Sequence, residues 1–297
     1  MYNILNDKKA VGVFVLPAFL LFLLIVIVPI AISGYYSLLE WNGIGKSQVF
    51  TGITNYVNLL FKNNDGFVKS IVNSFVLVLC SVFIQLPIAL LLAILLSNGI
   101  KGEGFFRTIY FVPVVLAVIV IGQLWRRIYN PNQGLLNSVL MGLGFAGAKN
   151  KAWLGDVNTA LFAVFAPITW QWIGYHMLLM YAAAKSVPTE VREAAIIDGA
   201  GDFAIACKII IPLIKPVLKV CVVFAVIGSL KSFDLIYILT NGGPAHATEV
   251  PSTLMLKTIF SKGLYGYGSS MAIFILIECL AFTVLIQKFF KVEEITY

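Results

Sequence analysis

Few side chains in this sequence are ionisable, so those that interrupt its apolar runs carry most of the chemical information. Lys231 and Asp234 stand three residues apart near the end of one such run. Glu278 lies within AIFILIECLAF, and Trp170, Gln171, Trp172, Tyr175 and His176 fall together in and just after TWQWIGY. A Lys or Asp at mid-bilayer costs about 2.5–3.5 kcal/mol on insertion scales, so each needs a partner or a purpose. The spacing of Lys231 and Asp234 admits a local ion pair on one helix face or two groups beside a substrate path. Glu278 admits a structural buried carboxyl or a proton relay. No chain of further acids or histidines accompanies it, which favours the structural reading. The aromatic group admits an interfacial belt or a saccharide surface, with ring faces against sugar C–H groups and Gln171 and His176 toward hydroxyls.

Other chemistries lack their residues. Gly43 to Ser47, GIGKS, ends like a phosphate-binding loop, but position 40 is Glu40 where a glycine is required, and no strand leads into it. The two histidines, His176 and His246, lie far apart, no Cys/His/carboxylate group has metal-ligand spacing, and no GxSxG nucleophile motif occurs. We therefore expect no catalytic residue, no metal site and no cofactor in this chain. Cys80, Cys207, Cys221 and Cys279 lie in or beside apolar segments and read as buried free thiols.

The elements that must hold the polar groups are membrane helices. The 297 residues are 60% hydrophobic and 12% charged, against about 25% charged in soluble domains. Six stretches are long enough to span: about 11–37, 70–96, 107–127, 158–184, 212–238 and 268–290. They define an all-α membrane protein, one transmembrane domain over 1–297. Pro87, Pro113 and Pro167 fall inside spans, where they mark kinks. The run from Val11 to Ile32 exceeds the core of a signal peptide, so the first span is read as uncleaved. The net charge of +7 is dispersed over the connections, which fits membrane topology and excludes nucleic acid as a partner. Lys and Arg are denser in the termini and the second and fourth connections, so both termini are expected on the cytoplasmic side.

The fourth connection, about 186–211, is unlike the rest. Ser186, Pro188, Thr189 and Glu190 form a helix-start signature. Val191, Ala194, Ala195 and Asp198 share one face at helical spacing, Gly199 and Gly201 loosen the chain, and a second helical stretch runs from about Phe203 to Pro212. A lipid-surface helix would split a basic face from a bulky apolar one. Alanines and carboxylates instead offer a shallow surface for another protein.

EAAIIDGAGDFAIACKIIIP, residues 193–212, resembles the EAA loop of permease subunits of binding-protein-dependent ABC importers. Glu193, Ala194, Ala195, Asp198, Gly199, Ala200, Ile209 and Pro212 match. Ile211 stands where leucine is usual and Ala206 where an aromatic is common. KGEGFFRTIYFVP, LWRRIYNPNQGLLN, FDLIYILTNGGP and GYGSSMA extend the resemblance to the sugar-permease branch over most of the chain beyond residue 70, and TNGGP is similar to the maltose-type first permease. The resemblance implies a type I importer permease fold of six helices, with 186–211 as the segment that couples to a cytoplasmic ATPase through Glu193, Ala194, Ala195, Asp198 and Gly199. It implies a second homologous permease, two ATPase subunits carrying the ATP and Mg, and an extracytoplasmic solute-binding protein met by the 129–156 connection, which otherwise reads as lipid-packed. Position matching implies that Tyr175, Ser229, Ser232, Trp172 and Gly228 line a path for a sugar or oligosaccharide. A glycerol phosphodiester is the alternative cargo and an ion-coupled carrier the more distant reading.

Overall fold

The computed structural model describes residues 8–45, 48–62 and 65–290; Lys46 and Ser47 of the phosphate-loop look-alike and both chain ends lie outside them. The principal helices are α1 (Gly12–Tyr36), α2 (Phe67–Ser97), α3 (Glu103–Val115), α4 (Val118–Ile128), α5 (Leu135–Gly142), α6 (Ala160–Lys185), α7 (Thr189–Ile197), α8 (Asp202–Ile205), α9 (Lys215–Leu230), α10 (Asp234–Thr240) and α11 (Tyr265–Phe289). The only strands among the described residues, β1 (Leu39–Glu40) and β2 (Val49–Phe50), pair antiparallel, Leu39 opposite Phe50.

The chain forms two compact units, Met1–Asp65 with Met255–Leu276, and Gly66–Leu254 with Ile277–Tyr297. The first holds α1 and the β-hairpin, fastened by the Asn55 side-chain amide donating to the carbonyls of Ser37 (2.8 Å) and Leu39 (2.9 Å). The second holds the helices that build the site. There, Leu86, Ala89, Ala93 and Leu96 of α2 pack with Met177, Met180 and Tyr181 of α6 and Cys221 and Ala225 of α9. A second core joins Leu77, Ile121, Val164, Phe165, Ile168, Leu235 and Leu239.

Five of the six expected spans are apolar and long enough to cross a membrane when α3 and α4, bent by 100° at Leu116–Ala117, count as one. The sixth, α6, is helical over 26 residues, with half of them buried, but falls short in apolarity. Trp170, Gln171, Trp172, Tyr175 and His176 depress its hydropathy. The helix that reads worst as a span is thus the one at the centre of its unit.

The prolines act in different ways. π-Helical turns at Leu23–Ile27, Ser81–Gln85 and Ala206–Ile210 each end two residues before a proline, Pro29, Pro87 and Pro212. Proline cannot donate to the carbonyl four residues back and crowds it, and a wider turn absorbs both defects within the helix. Pro113 precedes the α3–α4 break by three residues, whereas Pro167 sits inside an uninterrupted helix.

Candidate functional site

The π turn before Pro87 is where α2 contributes to a cavity of about 410 Å³. Ser81 and Gln85, at the two ends of that turn, reach its wall. α6 supplies Ile168, Gln171, Trp172, Tyr175 and His176, and α9 supplies Phe224, Ala225, Ile227, Gly228 and Ser229. The chain then breaks between α9 and α10, and this break places Lys231, Ser232, Phe233 and Asp234 on the same wall.

Backbone proximity sets the position of the α6 residues. A Cβ at Gly174 would lie 1.9 Å from the Tyr110 carbonyl oxygen of α3, so only glycine lets these two helices meet at that depth. Its neighbour Tyr175 meets Trp172 edge-on at 5.9 Å, His176 at 5.3 Å and Phe224 of α9 at 6.3 Å between ring centroids. Ser229 donates to the Ala225 carbonyl (2.8 Å), and its Oγ lies 2.9 Å from Ser81 Oγ, which joins α9 to α2.

The cavity therefore combines aromatic faces with hydroxyl and amide groups. Gln85, Gln171, His176 and Ser229 are at most 5% exposed, while Trp172 is 42% exposed. His176 Nδ1 has no hydrogen-bond partner. A polyhydroxylated ligand suits such a surface, because rings cover its C–H faces while buried amides and hydroxyls select its oxygens.

Tyr175, Ser229, Ser232, Trp172 and Gly228, matched from sequence, all stand on this one wall. Sequence reasoning missed Ser81, Gln85, Phe224 and Phe233. Gln85 carried a usable signal, as a strongly polar residue in an apolar run two positions before a proline. Lys231 and Asp234 line the cavity without forming the ion pair that their spacing allowed. The helix ends at Leu230 and restarts at Asp234, so three residues no longer make one helical turn. Glu278 is buried, its Oε2 has no hydrogen-bond partner, and it is not on the cavity wall.

The 186–211 segment forms a second feature of this unit. α7 begins after Pro188, which is extended (φ −54°, ψ 139°), and ends at Gly199, whose φ of +81° makes the left-handed turn with no atom crowding it. Helix resumes at Asp202. Ala195 does not share the outer face with Val191, Ala194 and Asp198: it is buried against the core of Ala184, Val187, Ile205, Ile210 and Ile214. Glu193, Ala194, Asp198 and Gly199 are exposed, and Ile196, Ile197 and Phe203 add an exposed apolar patch that the sequence reading did not single out.

Residues 63–291 match the family model described as binding-protein-dependent transport system inner membrane component. A probable ABC transporter permease protein, YurN of Bacillus subtilis, is 37% identical over 96% of this chain and 98% of its own length. The trehalose/maltose transport system permease protein MalF of Thermococcus litoralis is 32% identical over 95% and 94%. A crystal structure of a bacterial alginate ABC transporter, in complex with an alginate pentasaccharide-bound periplasmic protein, contains a chain of the same fold. It superposes with a TM-score of 0.81 at 19% identity, covering 98% of each chain.

Proposed function

Because the chain belongs to the inner-membrane component family of binding-protein-dependent transport systems, we propose that it conducts a sugar or oligosaccharide through the membrane as one permease of an ATP-driven importer. The observation that carries the cargo class is the cavity, where Trp172 and Tyr175 stand beside buried Gln85, Gln171, His176 and Ser229. The resemblance to a trehalose/maltose permease and to an alginate transporter supports the same class.

In this reading a second, similar permease completes the pathway, and an extracytoplasmic binding protein delivers the sugar. The termini and the 186–211 segment face the cytoplasm. Glu193, Ala194, Asp198 and Gly199, with the exposed Ile196, Ile197 and Phe203, form the face that docks on an ATPase subunit, while Ala195 fastens α7 from behind. Closure of the ATPases moves α7, and the helices around the cavity alternate its access. Substrate biases this cycle only through its different affinity for the two states.

One observation favours a glycerol phosphodiester as the second reading: Lys231 is an exposed cation on the cavity wall with no carboxylate paired to it. Purification of the tagged protein from its own host in mild detergent, with mass spectrometry of co-eluting chains, tests the assembly. An ATPase and a second permease are expected, and elution alone refutes the importer. Competition against uptake of a labelled disaccharide by unlabelled oligosaccharides or by glycerophosphodiesters then decides the cargo.

A further inference from the structure

Arg192 lies on α7 beside Glu193, yet its side chain turns away from the exposed face. Its guanidinium reaches the end of α2: Nη1 donates to the Ser97 carbonyl (3.3 Å), and Nη2 to Ser97 Oγ (3.4 Å) and Asn98 Oδ1 (2.8 Å). The last carbonyls of a helix lack partners within it and carry partial negative charge. A guanidinium with several donors in a fixed fork suits that end better than any other side chain. Ser97 is 1% exposed, so one side of the contact is sheltered from water.

From this contact we infer that Arg192 is the strap that makes the α7 segment a lever on the cavity, an inference that rests on the ATPase-coupled reading above. α7 joins α6 through Ser186–Pro188, where regular helix is interrupted and Pro188 is extended. A joint of that kind transmits position but lets the helix pivot. The apolar contacts behind α7 run to Ala184 and Val187 and to the re-entering helix at Ile205, Ile210 and Ile214, a cluster that Leu90 of α2 packs against from its edge. Among the described residues, the side-chain hydrogen bonds from α7 to α2 are those of Arg192.

With that tie closed, α7 is hydrogen-bonded to α2 in addition to its apolar contacts with α6 and the re-entering helix. α2 and α6 lead to the same place. α6 carries Gln171, Tyr175 and His176, while α2, about 18 Å from Ser97 at the helical rise per residue, carries Gln85 to the opposite end of the stretch that packs on α6. Displacement of α7 thus pulls on the α2 wall through this tie when Arg192 holds, and acts directly only on α6 and the re-entering helix when it does not. Arg192 is a positioning residue for transport, remote from the sugar.

The test uses the assembled importer in proteoliposomes with its binding protein and a labelled disaccharide, comparing R192A, R192K, N98A and R192A/N98A. The readout is sugar transported per ATP hydrolysed. R192A is expected to lower this ratio about tenfold, the scale of losing one charge-assisted contact set, while the ATPase still co-purifies. R192K, retaining one donor group, should recover part of the loss. N98A should lower the ratio less, and the double variant should match R192A, because paired residues are not additive. A ratio for R192A within twofold of wild type, or independent losses from R192A and N98A, overturns the strap. If R192A fails to assemble, R192K and N98A carry the test, and wild-type ratios in both overturn it. A wild-type protein that couples to no ATPase overturns the importer reading itself, a distinct result.

Discussion

Gly174→Ala perturbs the site without removing a polar group. The added Cβ would stand 1.9 Å from the Tyr110 carbonyl oxygen, with the Tyr110 carbonyl carbon at 2.6 Å and Phe111 Cα at 3.0 Å. All three are backbone atoms, so no side chain can rotate out of the way. An ordinary contact is about 3.5 Å, and α6 and α3 must separate locally by about 1.5 Å to accept the methyl group. Overpacking of this kind costs about 1–3 kcal/mol, or about 2–4 °C of thermal midpoint per kcal/mol in a large domain. The next two residues, Tyr175 and His176, are on the cavity wall, so the same shift displaces ligand groups by more than a hydrogen bond tolerates.

The assay pairs thermal inactivation of the purified protein with disaccharide uptake in proteoliposomes. Gly174→Ala should insert, lose several degrees of stability and lose most of its uptake. Gly228→Ala is the control, because that glycine also lines the cavity but a Cβ there meets nothing within 4 Å. It should keep wild-type stability and change only the apparent affinity for sugar. Wild-type stability and uptake in Gly174→Ala would refute the claim that the α3–α6 contact positions the site.

Three further perturbations separate the roles assigned to the chain. Tyr175→Ala with Ser232→Ala removes a ring and a hydroxyl from the cavity wall and should lower uptake at least tenfold, by the loss of about 1.4 kcal/mol or more of sugar contacts, with co-purification of partners unchanged; unaltered uptake kinetics count against this lining. Gly199→Asp places a carboxylate on the exposed turn at φ +81°, a conformation aspartate enters more readily than most residues. The protein should insert and assemble, yet uncouple uptake from ATP hydrolysis; normal sugar-stimulated ATPase activity sinks that role. Glu278→Gln alters a carboxyl that is off the cavity wall and has an unpartnered oxygen. Uptake should persist, with or without a proton gradient, and its abolition in an intact complex would revive an ion-coupled carrier.

The long apolar helices were legible because length and apolarity are local properties. The 186–211 segment was legible for the same reason: its start signal, glycine turn and resumed helix reappear at Thr189–Ile197, Gly199 and Asp202. Contacts between distant residues were not. Gln85 stands out as a polar residue before Pro87, but nothing local announces that a π turn brings it and Ser81 to the same cavity as Ser229, 148 positions after Ser81. The ion-pair reading of Lys231 and Asp234 failed for a related reason, since i, i+3 spacing implies a shared face only while the helix continues. Ala195 has the spacing of an exposed position in its motif but is claimed by the core that re-enters after Gly199. Arg192 likewise has no sequence signal for its contact, because its partners Ser97 and Asn98 lie about 95 positions earlier.

The low apolarity of α6 follows from its position. A helix facing lipid on one side can be apolar throughout, as α1 is, with none of the residues in its most apolar window buried. A helix packed on several sides must also supply whatever polar groups the pathway needs, because a group facing lipid reaches no solute. In this chain Gln171 and His176 are at most 4% exposed yet line the cavity, and they lower the hydropathy of α6. α2 resolves the same conflict differently. It keeps its apolarity and confines Ser81 and Gln85 to one widened turn, two residues before Pro87. Under the proposed function, the solute contacts of this chain lie on the least apolar of its expected spans and on the turn that precedes Pro87.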